Sequence, residues 1–249
     1  MDQLTASSVL SGAGHPTAGH PTVDQMREAD IFMDLDDEVL HGLALIAKAR
    51  VVEAGARLFN QGDLNAHFCV LISGQVSMFR TTPDGTVTVV EVLQPSGHAG
   101  LATILTQLPA LTGAETVAAS RMILIDGAGL RALVAREPSL ASALLRAEAM
   151  EFRALVLQVC DLKLRTTAQR LGHYLLELVQ DQAGESATLR LPFDKRLLAA
   201  RLGCRQENLS RAFATLRGIG VETRGARVVL HDIPKLRDYA VAHEEQVPA

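Results

Sequence analysis

Between Arg205 and Arg211 the chain sets Gln206, Glu207, Asn208 and Ser210 around a single apolar residue, Leu209. Arg205, Gln206, Glu207, Ser210 and Arg211 are the donor and acceptor types suited to base edges and phosphates of double-stranded DNA. At helical spacing they share an outer face, bordered by Asn208 and Arg217, while Leu209, Phe213 and Leu216 form an inner stripe. Val221-Glu222-Thr223, a turn at Arg224-Gly225-Ala226 and Arg227–Leu230 follow directly, predicting a β-hairpin with a basic tip at Arg224 and Arg227.

A recognition surface of this kind needs a second helix to hold it. Leu198 and Leu202 lie one turn apart, Ala199 is small where two helices would cross, and Gly203 supplies the turn. The whole reads as a helix-turn-helix with a wing. An ordinary αα-hairpin needs the same glycine and leucines. It does not need Glu207-x-x-Ser210-Arg211 on its outer face or a basic hairpin after it. Cys204 stands just before the recognition helix, where a helix N-terminus and cationic neighbours favour a thiolate. That makes it a candidate redox group, or simply a small apolar turn residue.

The charge balance points the same way. Residues 1–162 hold 10 Lys and Arg against 18 Asp and Glu, a net of −8, and residues 163–249 hold 14 against 10, a net of +4. A basic second half after an acidic first half suggests a polyanionic partner for the second half alone. Nothing in the chain reads as an enzyme: there is no paired acid–base carboxylate motif, serine elbow, phosphate-binding glycine loop or hydrolytic metal-ligand spacing. Three dispersed cysteines, Cys69, Cys160 and Cys204, fit reduced thiols, and no secretory signal or membrane-length apolar run is present. The expected location is the cytoplasm, with no membrane partner.

The 249 residues divide into four stretches. Residues 1–22, with His15-Pro16 and His20-Pro21 in a duplicated GHPT, predict a disordered tail. Residues 23–136 predict a sensor domain. Helical spacing runs from Met26 through Ile31-Phe32 to Val39, Leu40, Leu43, Ile46 and Ala47; six short β-rich runs follow (ARVV, RLFN, FCVLI, QVSMFRT, TVTVVEVL, RMILI), broken by Gly55, Gly62-Asp63, Ser73-Gly74 and Pro83-Asp84-Gly85. Short strands with frequent turns imply an antiparallel β-roll or jelly roll. Residues 137–165 predict a dimerisation helix: Ala143, Ala147, Met150, Ala154, Leu157, Asp161 and Leu164 step by 4 and 3 in a heptad seam. A single amphipathic helix packed on its own domain is the alternative. Residues 166–249 form the winged helix-turn-helix, giving an α+β chain.

On the β-roll turns, the long connecting helix and Glu207-x-x-Ser210-Arg211, the sequence resembles the Crp–Fnr regulators over about residues 24–240. RTTAQRLGHYLLEL, residues 165–178, also resembles the denitrification and nitric-oxide-responsive branch. The resemblance implies a cyclic-nucleotide-binding-like domain and a homodimer on a palindromic TTGA(T/C)-like site, with RNA polymerase as a further partner. Carried over by position, Glu207 accepts from a base amine, Arg211 reaches guanine and phosphate, and Ser210 touches thymine.

The family's sensors differ, and this chain departs from two of them. Cyclic-nucleotide members use a Gly-Glu pair and an Arg-Ser pair. Here the stretches read Ser96-Gly97-His98-Ala99-Gly100-Leu101-Ala102 and Thr112-Gly113-Ala114-Glu115-Thr116, with Gly113 in place of the phosphate arginine and an added carboxylate. Losing that charge-assisted contact argues against cAMP or cGMP. Three dispersed cysteines are too few for a [4Fe–4S] cluster. Haem, with nitric oxide as signal, remains as the expected cofactor; His67, His98, His173 and the tail His15 or His20 are the candidate ligands. A redox mechanism at Cys204, a ligand-independent regulator, and a ligand-binding module whose C-terminal helices contact protein are the alternatives.

Overall fold

The computed structural model describes residues 19–64, 66–85, 87–179, 184–191 and 194–241. The chain forms two compact units, Met1–Glu151 and Phe152–Ala249, so the division falls inside the long helix rather than at either of its ends. The first unit runs α1 (Val23–Arg27), a 3-10 turn (Asp30–Phe32), α2 (Asp37–Leu45), β1 (Ala47–Val52), β2 (Arg57–Phe59), β3 (His67–Ser73), β4 (Val76–Thr81), β5 (Val87–Leu93) and β6 (His98–Ala99). It continues with α3 (Leu101–Thr106), β7 (Gly113–Thr116), β8 (Ser120–Asp126), α4 (Gly127–Val134) and the start of α5 (Pro138–Leu164).

Two four-stranded antiparallel sheets, ordered β1-β8-β3-β6 and β2-β7-β4-β5, make the roll. Strand alternation explains how the first sheet is buried on both faces. Cys69 and Leu71 of β3, with Met122 and Leu124 of β8, join Leu58, Phe59, Val76, Leu93 and Ala114 in a core shared by the two sheets. Phe68 and Val70, with Ile123 and Ile125, turn the other way onto Met26, Phe32, Leu40, Leu43, Leu130, Leu140 and Leu144 of the helices. That double burial is why FCVLI and RMILI are continuous apolar runs.

Eight strands replace the six expected, because β6 has only two residues and β7 opens on a glycine, leaving neither a periodic signal. The helical spacing up to Ala47 overshoots: Ala47 opens β1 and pairs with Ile125 of β8. The expected tail also ends earlier than residue 22. Ala49 N–H donates to the Gly19 carbonyl at 3.2 Å, and Thr22 caps α1 in a capping box with Gln25.

The second unit contains the remainder of α5, then α6 (Thr167–Glu177), β9 (Ala187–Arg190), α7 (Lys195–Arg201), α8 (Gln206–Arg217), β10 (Val221–Arg224), β11 (Arg227–Leu230) and α9 (Ile233–Val241). Its core is Leu171, Leu175, Leu198, Leu209, Leu216, Val228, Leu230 and Leu236. The wing has a third strand, giving a sheet ordered β10-β11-β9. Thr166 and Gln169 form a second capping box, which starts α6 two residues after α5 ends.

α5 matches the expected helix within a residue or two at either end, but its expected seam divides. Ala143 packs in part on the core of its own unit, beside Leu140 and Leu144, and Ala147 is half-buried. Met150, Ala154, Leu157 and Leu164 are exposed, as is a second stripe that the heptad reading missed: Leu145 (72%), Phe152 (67%), Val156 (45%) and Val159 (48%). These step by 7, 4 and 3, share one face, and carry larger side chains than the alanine seam. Among the described residues no helix is long and apolar enough to cross a membrane.

Candidate nucleic-acid interface and sensor site

The turn before α8 is built as a helix stop. Gly203 adopts φ +60°, its N–H donates to Ala200 O at 2.9 Å, and Cys204 N–H donates to Ala199 O at 2.9 Å. This is a Schellman motif, which satisfies the last carbonyls of α7 and turns the chain into α8. Asp194 caps the other end of α7 by accepting from Leu197 N–H. Arg170 of α6 fastens the turn: its Nε donates to Leu202 O at 3.0 Å, and one terminal nitrogen donates to Arg165 O at 2.7 Å. The backbone just beyond α5 and the backbone just before α8 are thus tied to one side chain.

On α8, Leu209, Ala212, Phe213 and Leu216 are buried, while Gln206, Glu207, Asn208, Ser210, Arg211 and Arg217 are exposed. Arg205 occupies the N-cap, also exposed. Ser210 Oγ donates to Gln206 O at 3.0 Å, and the side chains of Glu207 and Arg211 have no partner among the described residues. The outer face is therefore in place as the sequence reading expects. Arg224 and Arg227 face each other across the wing, and Arg227 is in turn opposite Arg190 on β9. All three are exposed. Directly opposed side chains lie on one face of a sheet, and like charges there repel, so this arginine rung is suited to an external anion. Arg190 went unrecognised because its strand has only four residues; the alternation Ala187, Leu189 was its one signal.

The surroundings of Cys204 favour the thiol over the thiolate. Burial pushes its pKa up, and Arg170 offsets that only in part. Native-state alkylation of Cys204 at neutral pH is expected to be slower than that of free cysteine, accelerating as pH rises past the ordinary cysteine range, because only the thiolate reacts. Rapid labelling at neutral pH, followed by peptide mass spectrometry, would contradict this.

The sensor residues form a different picture. Gly113 lies under the Phe79 ring, which a Cβ there would drive aside. The nearby guanidinium of Arg57 sits 4.2 Å above the same ring and pairs with Glu115 at 2.8 Å. Leu101, following Gly100, is buried in the helical-side core.

The candidate histidines are scattered. His20 Nδ1 lies 2.9 and 3.1 Å from the carbonyls of Ala44 and Ala47. His67 is half-buried on β3, its pKa lowered by burial against the opposing pull of Asp126. His173 lies on α6, 3.4 Å from Glu177, and His15 falls outside the described residues. His98 is buried, edge-on to Phe68 with ring centroids 5.4 Å apart, and its Nε2 lies 3.2 Å from Glu151 Oε1. That contact has the distance of an ion pair, while burial pushes the pKa of the His98 imidazole down to about 4. Glu151 is pushed up to about 7, first by burial and then by Glu148 and Glu91; burial also raises Glu148. The Nε2 that an iron would take is already occupied by Glu151. The candidate histidines that fall among the described residues lie on separate elements, and no two of them are in contact. The carboxylates around His98 were missed in the sequence, where their only trace is an i, i+3 spacing on a helix.

The cyclic nucleotide-binding domain family matches residues 49–137, and the Crp-like helix-turn-helix domain family matches residues 169–239. The chain is 32% identical to the solved structure of a candidate cAMP-binding regulatory protein from Silicibacter pomeroyi DSS-3, covering 88% of this chain and 98% of that one with a TM-score of 0.60. The chain belongs to the Crp–Fnr family. It is 25% identical over 215 residues to the CRP-like cAMP-activated global transcriptional regulator of Mycobacterium tuberculosis, spanning 85% of this chain and 96% of that protein. The FixK2 structure from Bradyrhizobium japonicum, at 20% identity and a TM-score of 0.64 over 78% of this chain and 97% of that one, shares the fold. As a Crp–Fnr protein the chain is a transcription regulator with a DNA-binding helix-turn-helix, not an enzyme.

Proposed function

We propose that this regulator acts as a homodimer on a palindromic, TTGA(T/C)-like site, its two α8 helices entering major grooves about one DNA turn, roughly 34 Å, apart. The single observation that supports this most is the outer face of α8, where Glu207 and Arg211 are exposed and Ser210 lies between them. The exposed apolar stripe Phe152, Val156 and Val159 of α5 supports pairing with a second copy. RNA polymerase is the further partner expected of a regulator so placed.

For the effector, a cyclic nucleotide at Gly113 would meet an Arg57 already engaged by Glu115. A nitric-oxide response is supported by the likeness of residues 165–178 to the denitrification branch, but not by haem held at His98.

The test is a salt titration of DNA binding. A protein that neutralises Z phosphates loses affinity with a log–log slope of about −0.9Z. The wild type should weaken steeply with salt, and Arg190→Ala should reduce the slope by about 1 without changing sequence preference. DNA affinity independent of salt would overturn the reading in favour of protein contacts.

A further inference from the structure

We propose that His98, Glu148 and Glu151 form a binding site for a divalent transition-metal cation, an imidazole from β6 and two carboxylates from α5 supplying three ligands. One donor atom from each residue lies within 4.8 Å of the other two. The His98 Nε2 to Glu151 Oε1 separation of 3.2 Å is close to the edge of a tetrahedron, about 3.3 Å, around an ion with ligands about 2.0–2.1 Å away. Closing the site therefore needs only a small movement of the glutamate side chains.

His98 is the residue that distinguishes this group from a surface patch of acids. Its side chain is only 7% exposed, and the ring is braced against Phe68, so Nε2 is fixed in aim toward the carboxylates. Glu148 and Glu151 stand at i, i+3 and so rise from neighbouring turns on one side of α5. Glu91 adds a third carboxylate whose charge is felt at Glu151. No lysine or arginine pairs with Glu148 or Glu151 among the described residues. The Glu151 side chain is 46% exposed, which leaves an entry path and a position for water.

A mixed imidazole and carboxylate set suits zinc, manganese, iron or cobalt rather than calcium or magnesium. A bound cation would link the roll at β6 to the first half of α5. The site stands apart from the DNA-binding reading, since occupancy is measured without DNA.

The experiment uses the full-length protein, stripped with chelator and titrated separately with Zn²⁺ and Mn²⁺ by calorimetry and equilibrium dialysis. One ion per chain is expected for at least one of the two metals. Loss of two ligands in the Glu148→Gln/Glu151→Gln variant should weaken binding by at least about a hundredfold. Both positions lie on the less buried side of the site, and Glu148→Gln alone serves should the double variant lose its circular dichroism. Co²⁺ should give visible d–d bands without a thiolate charge-transfer band, separating this site from Cys69, Cys160 and Cys204. Substoichiometric binding of both metals, unchanged affinity in the glutamine variants, or a thiolate band would each overturn the proposal.

Discussion

Arg211→Ala should lower discrimination between a TTGA(T/C)-like site and a scrambled one by about 1–3 kcal/mol, or roughly 5–150-fold, in competition footprinting. The guanidinium has no internal role to lose: Arg211 is exposed, and among the described residues nothing pairs with its side chain. The packing face of α8 is Leu209, Ala212, Phe213 and Leu216, so the substitution leaves the helix seated. The melting temperature should therefore stay within a degree or so while specificity falls, and residual affinity should remain salt-dependent through the wing. An Arg211→Ala protein that protects the same sites with the same preference would remove α8 as the reading element.

Phe152→Glu should dissociate the dimer. Burying a phenylalanine contributes about 1.5–3 kcal/mol, and a two-fold interface counts the residue twice. Roughly 3–6 kcal/mol, or two to four orders of magnitude in dimer Kd, is at stake before the repulsion between two opposed carboxylates is added. Phe152 is 67% exposed in the single chain, so the change should leave each unit folded. Sedimentation equilibrium reads the outcome. Leu157→Glu provides the contrast, because Leu157 lies on the seam that the heptad spacing first suggests. Should Leu157→Glu separate the chains while Phe152→Glu does not, the partner lies on the other face of α5.

What the sequence makes legible follows the physics of each element. The helix-turn-helix is readable because two short helices crossing at a glycine tolerate few residues at few places, and Leu198, Ala199, Leu202 and Leu209 all lie inside as expected. The outer face follows by subtraction. The seam on α5 is harder, since spacing alone cannot tell which of two apolar faces is already taken; Ala143 packs in part on its own core, a tertiary fact. β7 is hidden because a strand that begins at Gly113 has too little side chain to show a period, and the reason for the glycine, the Phe79 ring, lies 34 residues away. The sensor is least legible. His98 appears in the sequence as one histidine among eight; only folding brings it to Glu148 and Glu151.

The rung of Arg190, Arg227 and Arg224 holds three like charges side by side whether or not DNA is present. Phosphate relieves that repulsion on any duplex, because every sequence carries the same backbone. If the wing meets DNA as proposed, its grip would be indifferent to bases, and the target would be found by travelling along the double helix in one dimension, with α8 testing each groove as it passes.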